Sequence, residues 1–342
     1  MINFLVGLLN VPSPTGYTSE AITYVYDSIK KANIPALSMS VTPKGALLVV
    51  YKGQSDLFPR AVTAHVDTLG LMVKEIKANG RLKVTQLGTY CWNAVENEGV
   101  TVCTSAGKRY RGTIVPVNAS YHVNRLLGES ERNENTLEIR LDAHVQSREE
   151  TRKLGIHVGD FIFLDPRVEV SDTGFIRSRH LDDKAGVAAL YSTILALHQS
   201  GLQPTHDTIF LVSNYEEVGH GVTHLPDNLD EMLVVDMGAV GEGQASDEFS
   251  VSICTKDSSG PYNYQMTQHL CQLAETFHIP YQADIYPYYS SDGSMYWRTG
   301  GQARVGLIGP GIDASHGCER THNDSVRYTA NLIAQYLLSD GE

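Results

Sequence analysis

"RHLDDKAGVAAL" (179–190) is the stretch whose reading decides the fold. It reads as the end of a strand, a turn and the start of an apolar helix. The helix beginning near Lys184 repeats Val187, Leu190, Tyr191, Ile194 and Leu197 on one face. Two adjacent carboxylates, Asp182 and Asp183, stand at the turn. They can cap the helix, as acids commonly do at that position, or they can hold a metal ion.

The same strand-then-helix rhythm recurs on both sides of the turn. Upstream, a helix after Thr18 or Ser19 carries Ile22, Val25, Tyr26 and Ile29, followed by the strands "GALLVVYKG" (45–53) and "RAVTAHVDT" (60–68). Downstream, "DTIFLVSNYEEVGHG" and "EMLVVDMG" read as strands and "GPYNYQMTQHLCQLAETFHI" as a helix. "YQADIYPYY" and "RVGLIGPG" are further strands, and "RYTANLIAQYLLS" closes the chain as a helix. Alternation of this kind predicts an α/β domain, a mixed and mainly parallel sheet with helices on both faces. Residues 71–166 break the rhythm with short strands. Hairpins are expected at Asn79-Gly80 and Ala106-Gly107, a polar loop at "GESERNENT", and a capping box from Ser147 to Glu150. The expected organisation is a catalytic α/β domain in two parts, residues 1–70 and 167–342, interrupted by a small β-barrel domain over 71–166.

Bulk properties narrow the function. The 342 residues are 42% hydrophobic and 19% charged, with a net charge of −12 and no basic run, which argues against a nucleic-acid partner. The five cysteines form no CxxC pair, so neither a disulfide framework nor a thiolate zinc site is expected. The apolar start "MINFLVGLLNVPSPTGY" lacks a basic flank and a cleavage site, and no stretch is long enough to span a membrane. A cytoplasmic protein without membrane partners is expected.

In open α/β sheets, ligands bind beyond the carboxyl ends of the strands. The polar residues falling there are His65 and Asp67, Asp182 and Asp183, Glu216 and Glu217, Asp236, and His316. An unpartnered carboxylate taken out of water costs several kcal/mol. So many acids with two histidines cannot neutralise one another, and divalent cations resolve the charge. Two ions sharing one carboxylate, each with a histidine and a terminal carboxylate, use His65, His316, Asp182, Glu217 and Asp236. Asp67, two residues beyond His65 on a strand, faces the same side and can fix the imidazole tautomer. Glu216 is free to take a proton from water. Singly, each motif also has an ordinary structural explanation. The ordered set HxD, LDDxxG, EExG, an apolar strand ending in Asp, and a late His is what carries the assignment.

The wording of these motifs resembles metallopeptidase family 42, the tetrahedral (TET) aminopeptidases among the co-catalytic two-metal exopeptidases. "AHVDTLGLMVKEI", "HLDDKAGVAAL", "NYEEVGHGV" and "VVDMGAVGEG" are similar to that family's metal-binding core. "LGTYCWNAVENEGVTVCTSAGKRYRGTIVP" and "LDAHVQSREETRKLGIHVGD" are similar to the two halves of its inserted β domain. The likeness covers nearly the whole chain. It implies His65 and Asp236 as terminal ligands of one metal, Glu217 and His316 of the other, and Asp182 as the bridge. It further implies Glu216 as general base, Asp67 orienting His65, and Asp183 shaping the turn through an unusual peptide bond rather than binding metal. Two divalent ions per subunit are implied, zinc or cobalt and also manganese, with peptide substrates. An insert that mediates dimer contacts is implied too, and assembly of at least a dimer up to a dodecamer.

One segment departs from the pattern. Where the family approaches its last histidine through S-x-P-x-R-Y-x-H-S, this chain has "GPGIDASHGCER", without the Arg-Tyr pair and one residue longer, although Glu319 still follows His316 by three. His322 is the competing histidine. The expected activity is a metal-dependent aminopeptidase. The alternatives are a related two-metal carboxypeptidase, dipeptidase or deacylase, and a non-catalytic metal-binding scaffold. The "SSDG" turn within "YPYYSSDGSMYW" (286–297) is either part of the substrate pocket or a plain turn.

Overall fold

Four apolar strands run parallel in the middle of the larger sheet: His206–Ser213, Ser55–His65, Glu231–Val235 and Arg304–Asp313. The computed structural model describes residues 1–223 and 225–340. Leu47–Tyr51 and then Leu37–Val41 extend the sheet antiparallel on one side. On the other, Val251–Asp257 pairs antiparallel with Arg304–Asp313 and parallel with Tyr281–Ile285. The sheet is therefore mixed, with the parallel pairing concentrated at its centre.

Strand alternation sorts the core into two layers. Val62, Ala64, Phe210, Val212, Leu233 and Val235 face one way, into a cluster shared with the helices Ile2–Leu9, Ser19–Lys31, Leu181–Gln199, Tyr264–Thr276 and Asn323–Leu338. Ala61, Leu211, Met232 and Val234 face the other way. There they meet Tyr286, Val305, Leu307 and Tyr296, the last from the short helix Asp292–Arg298. Burial on both faces explains why these strands read as continuous apolar runs rather than alternating ones.

Contacts divide the chain into two units, Met1–Asp67 with Arg167–Glu342, and Thr68–Pro166. The second unit is a closed barrel of six strands, in the order Gly70–Ile76, Leu82–Leu87, Leu137–Leu141, Arg109–Pro116, Gly99–Cys103, Phe161–Leu164. It encloses its own core, including Leu71, Val84, Val102, Ile114, Ile139 and Ile162. Gly80 and Gly107 turn its hairpins at φ of +82° and +76°, a conformation that costs a glycine least. The helix Arg148–Lys153 is capped by Ser147, whose hydroxyl accepts from Glu150 N. Glu150 reaches back to Gln146 N at 2.6 Å, one residue beyond the expected box.

Several elements differ from the sequence-based expectation. The apolar start is a helix, Ile2–Leu9, whose Phe4, Leu5, Leu8 and Leu9 are buried. Thr18 flanks the second helix without capping it; its hydroxyl accepts from Asn214 Nδ2 at 3.2 Å instead. Val251–Asp257 is a full strand that local pattern did not single out. No helix among the described residues is long and apolar enough to cross a membrane.

Candidate metal centre

Parallel pairing puts the ends of the central strands at one edge, and the polar residues follow from there. His65 closes its strand opposite Ser213, and Asp236 follows Val235. Glu216 and Glu217 form a single 3-10 turn entered through Tyr215 at φ +64°. Asp182 sits at the head of Leu181–Gln199 with φ −73°, ψ 109°, outside helical geometry, and its peptide bond to Asp183 is cis.

Asp182 is the centre of the arrangement. Its Oδ1 lies 3.1 Å from His65 Nε2, and its Oδ2 lies 3.3 Å from His316 Nε2. Two donor groups result, His65 with Asp182 and Asp236, and Asp182 with Glu217 and His316, each with ligand atoms within 4.8 Å of one another. One carboxylate belongs to both groups, one oxygen toward each histidine. His65 Nδ1 lies 3.0 Å from the Asp67 main-chain carbonyl. A carbonyl only accepts, so Nδ1 carries a proton, and Nε2 is the nitrogen that meets Asp182, donating to it when the ring is charged and free to offer its lone pair to a metal when the ring is neutral.

The electrostatics are those of a site built around positive charge. Burial drives Glu216 and Glu217 well above the usual carboxylate range, helped by the neighbouring charges Asp236 and Asp182 respectively. Burial and the Asp182 charge push Asp236 up to about 7 and Glu319 up to about 8. Burial opposes ionisation of Asp182 as well, but hydrogen bonds from His316 and His65 prevail and hold it well below that range. Nitrogen and carboxylate donors converge here with more negative charge than two histidines can offset. That set fits divalent cations of the zinc type.

Seven side chains singled out from sequence, His65, Asp67, Asp182, Glu216, Glu217, Asp236 and His316, lie at this edge, and Asp67 meets more than His65 there. Its carboxylate oxygen is 3.6 Å from His65 Nδ1, farther than its own carbonyl. The carboxylate also accepts from Glu216 N at 3.1 Å, Glu217 N at 3.3 Å and the Thr15 hydroxyl at 2.7 Å. Asp183 is no donor to either group. Its Oδ1 accepts from Gly186 N and its Oδ2 from His65 N, both at 3.1 Å, so it caps the helix and ties the turn to the strand. His322 lies outside both groups, capping Asn323–Leu338 through Asp324 N and meeting Thr173 O at 2.9 Å.

Two supporting residues were given no role in the site by the sequence. Glu319 accepts from Asp182 N and from His316 N, both at 3.0 Å, and so ties the shared carboxylate to the late histidine. Its spacing from His316 was the available signal. Thr15 had none, because its contact spans 52 residues.

The family model described as "M42 glutamyl aminopeptidase" matches residues 45–332. The Bacillus subtilis (strain 168) protein named "Putative aminopeptidase YhfE" is 50% identical over 333 residues, 97% of this chain and 95% of that one. The fold is that of the TET aminopeptidase from the marine sediment archaeon Thaumarchaeota archaeon SCGC AB-539-E09, at TM-score 0.89 and 19% identity, covering 99% and 97% of the two chains. It is also that of Pyrococcus horikoshii TET1 peptidase, at TM-score 0.85 and 21% identity, covering 99% of each. With its family model matched over most of its length and a half-identical relative along nearly all of it, this chain belongs to the M42 glutamyl aminopeptidase family and is a metal-dependent aminopeptidase.

Proposed function

We infer that the chain removes N-terminal residues from peptides with a pair of divalent ions and Glu216 as general base. The observation that carries this reading is the position of Asp182, one oxygen toward His65 and the other toward His316. His65 and Asp236 would hold one ion, Glu217 and His316 the other, and Asp182 would be shared. Zinc or cobalt suits the donors, and manganese is compatible with the carboxylates. When bound, such ions lower the pKa of water toward neutrality and polarise a carbonyl.

The protein's own groups do the rest. Glu216 Oε2, 3.7 Å from His65 Nε2, borders the first donor group without belonging to it. It takes the proton from the attacking water and returns it to the leaving amine. Asp67 holds the main-chain amides of Glu216 and Glu217, so base and ligand are presented as one rigid turn. Assembly into at least a dimer, with the barrel unit as the contact and a dodecamer as the larger form, is part of the same reading, as is a cytoplasmic setting. It draws support from the Pyrococcus horikoshii TET1 peptidase, which can assemble into a tetrahedron or a large octahedral shell.

The test is hydrolysis of aminoacyl-p-nitroanilides by metal-stripped protein restored with Zn²⁺, Co²⁺ or Mn²⁺, beside Glu216→Gln. Loss of the general base is expected to lower kcat by about 10²–10⁴-fold while both ions still bind by mass spectrometry. Wild-type turnover in the variant would exclude Glu216 as the base. Turnover confined to blocked peptides or acyl-amino acids would point to a deacylase or carboxypeptidase.

A further inference from the structure

The turn bearing Glu216 and Glu217 belongs to a loop, residues 214–222, that leaves the sheet at Ser213. Besides Asp67, two charged side chains hold it. Asp292, the acid of the "SSDG" stretch, is only 2% exposed. Its Oδ2 accepts from the Ser213 hydroxyl at 2.5 Å, and its Oδ1 accepts from Val222 N at 2.8 Å. One carboxylate thus joins the two ends of the loop. Gly221 leaves room for it, because a Cβ there would lie 2.0 Å from Asp292 Oδ1.

Lys44 works from the outer side. Its ammonium donates to the carbonyls of His220 and Gly221, the latter at 2.7 Å, while its own carbonyl accepts from Asn214 Nδ2 at 2.9 Å. Asp292 and Lys44 are 248 residues apart (292 − 44), and both spend their hydrogen bonds on the one loop that carries the proposed base. Neither contributes to the two donor groups.

We propose that Asp292 and Lys44 are positioning residues that clamp the loop 214–222 and so fix Glu216 and Glu217 for turnover. The proposal rests on the general-base reading of Glu216. A misplacement of about 1 Å in a reacting group can cost about 10²-fold in rate, so releasing the loop should act on kcat rather than on substrate binding.

The test uses the full-length, metal-loaded enzyme and the p-nitroanilide the wild type cleaves best, with Glu216→Gln as reference. Asp292→Ala is expected to lower kcat about tenfold or more, with KM within about twofold. Asp292→Asn keeps an acceptor for Val222 N and can donate to Ser213 Oγ, so it is expected to recover kcat to within about threefold. Lys44→Met alters an exposed residue, folds even where Asp292→Ala does not, and is expected to lose about threefold to tenfold in kcat at unchanged KM. Wild-type kcat in Asp292→Ala or in Lys44→Met, with Glu216→Gln inactive, overturns the clamp alone. Asp292→Asn as impaired as Asp292→Ala, or a KM that rises as kcat falls, overturns it too, because charge or substrate contact would then be the role. An active Glu216→Gln removes the general-base reading and this inference with it.

Discussion

Asp182 and Asp183 show how two identical side chains in sequence become different groups in space. Asp182 turns its oxygens to two histidines, while Asp183 satisfies a helix amide and a strand amide. The crowding has a measurable consequence. Burial and mutual repulsion keep protons on Asp236 and Glu319 to about pH 7 and 8, and hold Glu216 and Glu217 protonated above the usual carboxylate range. Metal ligands must be deprotonated, so loading the site should expel protons. Calorimetric titration of the stripped protein in buffers of different ionisation enthalpy is expected to show proton release near pH 6.5 that shrinks toward pH 9, with affinity rising over the same range. A proton count of zero at pH 6.5 would contradict the charge balance described above. Residue types at the strand ends made this cluster readable in sequence. The closer contact of His65 with the Asp67 main-chain carbonyl was not, since side-chain aim depends on the turn that follows.

At the level of single elements, the start of Leu181–Gln199 depends on a small residue and a buried amine. A Cβ on Gly186 would lie 2.2 Å from Asp183 Oδ1. Gly186→Ala is therefore expected to destabilise by about 1–3 kcal/mol and to weaken metal binding, read by urea denaturation and by titration. Unchanged stability would mean that Asp183 can step aside. Lys184, fully buried, donates to the carbonyls of Leu8 at 3.1 Å and Val11 at 2.7 Å, fastening the end of the first helix. Burial pulls its pKa from 10.5 down to about 7. The unfolded chain, with the ordinary value, binds more protons between these limits, so this group's contribution to stability rises with pH across that window and is least favourable below it. In urea titrations at pH 7 and 9.5, the wild type should gain stability relative to Lys184→Met as pH increases. Parallel behaviour of the two proteins would show that the ammonium keeps its charge. Helix Ile2–Leu9 belongs here too. Its apolar run was visible in sequence, but what it packs against was not.

For the whole molecule, two separate cores account for the change of texture along the chain. The α/β unit buries both faces of its central strands, so apolar runs dominate there; the barrel buries only its inside, so short alternating strands appear. If the barrel is the contact between copies, mass photometry should give at least twice the 37.6 kDa of one chain, and a single-chain mass at working concentration would remove the assembly from the reading. The α/β class, the closed barrel and the order of the metal-site motifs were already determined by the sequence, because hydrophobic period and strand-end chemistry are local signals. The parallel centre with antiparallel margins, the pairing of Asp182 with two histidines, and the hold of Thr15, Lys44, Asp292 and Glu319 on the site were decided only by tertiary structure. Most of those contacts join residues more than fifty positions apart, and no local pattern specifies which distant strand or loop a side chain will meet.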